Sequence, residues 1–228
     1  RMHQVASDGG FLERPVELEA VVLSPGERAE VLVDLRGRAT GSALSLEVEL
    51  FQGGRLRALS IVASRPAATA LSIPAALAPV ERLDPARSER VRPFVLSTMG
   101  PGGQLTINGR HIDMHRVDET VRLGATEIWE VSNRAMGMMQ IPHSFHMHNV
   151  QFQVLSLNGA PPPPTLSGRK DTVLLWPGDT MRLIVAFEGY TGVYMYHCHL
   201  LEHEDFGMMG QYEVTDKGVA RQTHAEPG

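Results

Sequence analysis

The stretch GVYMYHCHLLEHEDFGMM, Gly192–Met209, opens with an extended-looking run and ends in a dense set of metal-binding side chains. In a strand, successive side chains point to opposite faces. His197 and His199 therefore share one face, and Cys198, between them, points to the other. Cys198 is the only cysteine of the 228 residues, so no intrachain disulfide can form, which leaves a buried thiol, a nucleophile or a ligand. After it, LLEHEDFG fits one helical turn closed by Gly207, which brings His203 and Met208 back toward the cysteine. A second stretch, PHSFHMHNVQF, supplies His143, His146 and His148 in an HxxHxH spacing. By the same parity His146 and His148 share a face and His143 lies on the opposite one. Two adjacent strands built this way carry two donor sets back to back. One gathers His143, Cys198, His203 and Met208; the other gathers His146, His148, His197 and His199.

Outward from these motifs the pattern is β nearly throughout. PVELEAVVL leads through the turn SPGE into RAEVLVDL, and ALSLEVELF is split by Gly53-Gly54 from LRALSIVAS, which reads as a hairpin. Residues 65–92 are rich in Ala and Pro and read as an extended linker with one helical turn at most. A second β region follows in FVLSTM, QLTING, EIWEVSN, HSFHMHNVQFQVLSLNG, DTVLLW, TMRLIVAFE and GVYMYHCH. Its turn signals recur at the spacing of a β-sandwich. The expected organisation is thus a short β segment over 1–64, a linker over 65–92 and a sandwich over 93–228. The first segment is short for a sandwich of its own and reads as the closing strands of a domain that begins upstream.

Composition narrows the function classes. A net charge of −5 gives no basic footprint for nucleic acid, and no apolar run is long enough to span a membrane. Two imidazoles, one thiolate and one thioether are the donors of a blue-copper site. Thiolate and thioether are soft ligands suited to copper in both its oxidation states, and zinc rarely recruits methionine. The all-imidazole set also suits copper, but four histidines make an incomplete cage.

These motifs resemble the C-terminal part of multicopper oxidases, the family of laccases, bilirubin oxidases, ascorbate oxidases and bacterial cuprous oxidases. HSFHMH and HCHLLEHEDFGMM are similar to the family's third and fourth copper-binding motifs. SDGGFLERPVELEAVVLSPGERAEVLVDL resembles the end of its second cupredoxin domain, and LTINGRHIDM with EIWEVSN the opening of its third. The resemblance implies an all-β, cupredoxin-like Greek-key sandwich preceded by strands of an incomplete second cupredoxin domain. It implies type 1 copper on His143, Cys198, His203 and Met208, type 2 copper on His146, and type 3 copper on His148, His197 and His199. Electrons would cross from the type 1 site through Cys198 to its flanking histidines. Glu204 matches an acid that such enzymes use to relay protons during O2 reduction, and it joins Cys198 as an expected catalytic residue.

The same resemblance sets out what this chain does not supply. The family's three-copper cluster uses eight histidines, and four stand here; the two missing HxH pairs belong to an N-terminal cupredoxin half, on the same precursor or on another chain. His3, His111, His115 and His224 form no such pairs and are expected at the surface. Asn149 stands where the family usually has glycine. Met136, Met138 and Met139, just before His143, read as ordinary core or loop methionines. The expected activity is one-electron oxidation of a small reducing substrate (a phenol, an aromatic amine or Cu(I)) coupled to O2 reduction, in the periplasm or outside the cell. The alternative is a type 1 copper electron-transfer module without oxidase activity.

Overall fold

The computed structural model describes residues 2–50, 53–64, 72–98, 103–134 and 140–217. Met136, Met138, Met139 and His224 lie outside the described residues.

Among the described residues the N-terminal segment holds five strands: β1 (Met2–Ser7), β2 (Gly10–Leu18), β3 (Glu30–Val33), β4 (Ala43–Glu49) and β5 (Arg55–Val62). The first three form an antiparallel sheet in the order β2-β1-β3, and β4 and β5 form the hairpin expected around Gly53-Gly54. The strand expected over PVELEAVVL starts earlier, at Gly10, and runs to Leu18, pairing antiparallel with β1 through the turn at Asp8-Gly9. Residues 20–23 leave the sheet and instead line a groove of about 300 Å³ against Leu174 and Trp176. Much of the apolar side-chain surface of β3 to β5 is exposed, including Leu32, Val48, Leu56 and Leu59.

The sandwich contains β6 (Arg90–Ser97), β7 (Thr106–Ile107), β8 (Glu119–Arg122), β9 (Thr126–Asn133) and β10 (His143–Met147). Then come β11 (Phe152–Leu157), β12 (Thr172–Leu175), β13 (Thr180–Ala186), β14 (Gly192–Cys198), the short helix α1 (Leu201–Asp205) and β15 (Met209–Thr215). Two five-stranded sheets result, ordered β12-β10-β14-β15-β8 and β11-β13-β9-β6-β7. From β9 to β14 the chain alternates between the sheets, so sequence neighbours face each other across the core. A turn separates β10 from β11, and Asn149 adopts φ 65° within it. That left-handed backbone favours glycine, and asparagine is among the side chains that tolerate it best.

The alternation of apolar residues explains the layering. Phe94, Trp129 and Phe187 from one sheet meet Phe145, Tyr196 and Tyr212 from the other, all buried. Phe94 stacks on Trp129 at 4.3 Å between ring centroids, and Tyr196 and Tyr212 meet Trp129 edge-on. Aromatic pairs in such geometries add about 0.5–1.5 kcal/mol each beyond the area they bury. A buried cation crosses the edge of this core: Arg92 binds Glu127 through two nitrogens, pairs with Glu119, and donates to the Thr120 carbonyl at 2.7 Å. The sheet carrying β10 and β14 is the one that positions the metal-binding side chains.

Candidate metal centre

Strand register carries out what parity predicts. β10 and β14 pair with Phe145 opposite Cys198 and His146 opposite His197. Directly opposed residues share a face, so Cys198 lies on the core face with Phe145 while His146 and His197 lie on the other. His143, at the start of β10, is two residues from Phe145 and falls on the Cys198 face.

On that face three donors converge. His143 Nδ1 and His203 Nδ1 are 3.1 Å apart, and Cys198 Sγ lies 3.6 Å from the first and 3.4 Å from the second. A point equidistant from these three atoms sits about 2 Å from each, the ordinary bond length from a transition metal to imidazole or thiolate. All three residues are buried. α1 brings His203 back to the strand end, and Gly207 closes its C-terminus at φ 82°, donating its N–H to the Glu204 carbonyl at 2.8 Å. Glycine in this left-handed position is the common way to stop a helix. The chain then returns beside β14: the Met208 carbonyl accepts the Cys198 N–H at 3.0 Å, and the Met208 N–H donates to the His203 carbonyl at 2.9 Å. Met208 is fully buried.

On the opposite face His146, His148 and His197 bring one ring nitrogen each within 4.8 Å of one another. His148 Nε2 and His197 Nε2 are 3.1 Å apart. The His199 ring lies 5.3 Å, centroid to centroid, from those of both His146 and His197. His146 is fixed from behind: its Nδ1 lies 2.9 Å from both the Asp171 carbonyl and Thr172 Oγ1, which leaves Nε2 free. Glu204 Oε2 lies 3.4 Å from His197 Nδ1. Beside this patch a cavity of about 610 Å³ is lined by His146, His148, Asn149, Arg169, Asp171 and Glu188.

Burial sets the electrostatics. It pushes the Cys198 thiol up to about 11, and the His143 imidazole down to about 3 with help from neighbouring His203. Burial also lowers His203, lowers His148, and takes His197 down to about 4. Desolvation disfavours a charged form, so these imidazoles stay neutral with a lone pair available. The donor set fits copper: two neutral imidazoles and a thiol that a soft metal can deprotonate, with Met208 alongside.

The structure thus brings His143, Cys198 and His203 together on one face and His146, His148 and His197 on the other, with the His199 ring beside the second group and Met208 buried next to the first in the chain's return. His111 and His115 are exposed. Support for the imidazole patch comes from residues that the motifs do not mark. Ser24–Arg28, between β2 and β3, docks on β10: Ser24 Oγ lies 2.8 Å from Ser144 Oγ, which donates to the Pro25 carbonyl at 2.7 Å. Gly26 there has φ 85°, and a Cβ on it would meet His199 Cδ2 at 2.5 Å. Arg28 forks onto Asp171, and Lys170 is buried between Asp8 and Glu27 at 3.0 and 3.2 Å. The turn SPGE is visible in sequence, but its partners, about 120 to 175 residues away, are not.

The two-sheet architecture with a soft and an all-imidazole donor set defines a cupredoxin-like copper protein. The sequence profile of the multicopper oxidases matches residues 85–218, and the chain belongs to that family. Family membership implies copper cofactors. The chain is 35% identical over 212 residues to the multicopper oxidase mco of Staphylococcus haemolyticus, covering 93% of this chain and 42% of that protein. It is 33% identical to the cell division protein FtsP of Dickeya dadantii, covering 92% of this chain and 45% of that protein. The crystal structure of a laccase from Pediococcus acidilactici superposes with a TM-score of 0.83 at 35% identity, covering 94% of this chain and 45% of that one. The chain therefore spans less than half the length of these relatives.

Proposed function

We propose that this chain is the type 1 copper-bearing part of a laccase-like multicopper oxidase. Residues 1–64 are the closing strands of a second cupredoxin domain and 65–92 the linker into the third domain, 93–228, whose first strand β6 already begins at Arg90. His143, Cys198, His203 and Met208 hold type 1 copper; His146 holds type 2 copper, and His148, His197 and His199 hold type 3 copper. An N-terminal half that this chain does not contain supplies the other four histidines. The exposed apolar side chains of β3 to β5 support that division, because such patches mark surfaces that other chain covers.

The observation that carries the reading is the register of β10 on β14, which sets Cys198 and His197 on opposite faces one residue apart. When bound, copper supplies one-electron exchange at the Cys198 site and O2 reduction to water at the histidine cluster. Cys198 offers its sulfur to one site while its two neighbours reach the other, a covalent link of a single residue on each side. Neutral imidazoles keep their lone pairs for metal, and burial of the thiolate set excludes water from it. Glu204 Oε2, 3.4 Å from His197 Nδ1, is placed to pass protons toward the cluster, where O2 reduction consumes four. The electron donor is a phenol, an aromatic amine or Cu(I), and the enzyme works in the periplasm or outside the cell.

A likeness to a cell division protein as well as to oxidases means that ligands, rather than ancestry, decide activity. In the copper-loaded intact protein, O2 uptake with a phenolic donor is expected, and Cys198→Ser should abolish both the blue colour and the uptake. Retained uptake in that variant would overturn the assignment. The second reading, an electron-transfer module, rests on the four histidines that this chain lacks; a blue protein with no O2 uptake would establish it.

A further inference from the structure

His146 is held by contacts that lead out of its own domain. Its Nδ1–H donates to the Asp171 carbonyl and to Thr172 Oγ1, both at 2.9 Å. The Thr172 hydroxyl donates in turn to Asp171 Oδ1 at 2.8 Å, so its lone pairs face the imidazole. The Asp171 carboxylate is gripped by Arg28, whose Nη1 and Nη2 reach Oδ1 and Oδ2 at 2.6 and 2.7 Å. A two-point guanidinium–carboxylate contact fixes orientation as well as distance.

Arg28 is itself fixed. Its backbone N–H donates to Asp8 Oδ1 at 2.7 Å, its Nη2 to the Asp8 carbonyl at 3.1 Å, and its Nη1 to the Gly26 carbonyl at 2.9 Å. Asp8 Oδ2 also accepts from the backbone of Asp171 and Thr172 at 3.3 Å. The turn that carries Arg28 thus has a defined place on the other domain. Through Gly26 the same turn closes on the His199 ring, so it meets two of the four imidazoles from one side.

We propose that Arg28, on the N-terminal segment, is a positioning residue for the imidazole cluster, orienting His146 through Asp171 and Thr172 so that Nε2 faces the metal. The inference rests on the oxidase reading above. Partners that orient a metal-binding imidazole typically change affinity 10- to 100-fold when removed. Arg28 acts one residue further back, so about a tenfold loss is expected.

The test uses the copper-loaded intact protein, with Arg28→Ala and Arg28→Lys. Lysine keeps the charge but cannot hold both carboxylate oxygens, and it carries the test should the alanine variant fail to fold. Both variants should lose type 2 copper about tenfold more readily to a chelator and show an altered type 2 electron paramagnetic resonance signal, while the blue absorption of type 1 copper stays as in the parent. An unchanged type 2 signal and retention in either folded variant would overturn the inference. So would parallel loss of both copper types, which marks a structural role alone. If the parent protein itself binds type 1 copper only, the oxidase reading falls, and this inference falls with it.

Discussion

Copper uptake at the thiolate site should release one proton, and the structure says which. The Cys198 thiol is pushed up to about 11 by burial, whereas His143 is held down to about 3 and His203 below its ordinary value. Above pH 7 both imidazoles are therefore neutral, and only the thiol must ionise. At pH 7 it stands about four decades from ionisation, which at 1.36 kcal/mol per decade offsets about 5 kcal/mol of the intrinsic copper–thiolate affinity. The apparent affinity should accordingly rise about tenfold for each pH unit between 7 and 10. The assay is competition with a chelator of known pH dependence, read on the blue thiolate-to-copper absorption of the intact protein. A flat profile would show that the thiol is already ionised or is not the ligand, and would refute the argument. A slope of two would show that a histidine also releases a proton. Cys198→Ser should show no blue absorption at any pH.

Other consequences are testable separately. Arg92→Ala strands Glu119 and Glu127 in the core and should cost about 3–5 kcal/mol, seen as a lowered urea midpoint of the intact protein. Gly26→Ala sets a Cβ against His199 in a left-handed backbone, so copper content at the histidine cluster should fall while the blue absorption persists. His143 and His197 bind fewer protons folded than unfolded between about pH 4 and 6.5, so stability rises with pH across that window. The copper-free protein should be less stable at pH 5 than at pH 7 by on the order of 2 kcal/mol for each histidine, read as a lower urea midpoint. Glu204→Gln should slow O2 reduction more than oxidation of the donor, measured by single-turnover reoxidation.

Much of the site was legible because strand parity is a local rule. Knowing only that His143–Met147 and Gly192–Cys198 are extended, one can sort the ligands into two faces, and the sorting needs no tertiary information. Asp171, Thr172 and Arg28 were not legible, since an ordinary Asp-Thr strand start and an Arg after a turn carry no mark of meeting. β1, β8 and β15 escaped for a related reason: MHQVAS and ETVR are short, and GQYEVT follows a motif read for its ligands. Their strand character comes from pairing, β15 with β14 and in parallel with β8. The end of β2 at Leu18 shows the converse: AVVL, for all its local β-propensity, lies outside the strand and lines a groove together with Trp176.

Within this chain the two donor sets differ in how they meet solvent, which should set the order in which they load metal. His143 and Cys198 are 1% and 0% exposed, whereas His148 stands at the surface beside an open cavity. Within this chain an ion can reach the histidine patch while the fold stays closed. Reaching Cys198 should require the Leu200–Met208 segment to lift, breaking the bonds of the Cys198 and Met208 amides to the Met208 and His203 carbonyls. Filling of the thiolate set is then gated by local opening, and once filled it is slow to empty, whereas exchange at the open patch is set by whatever second surface comes to cover it.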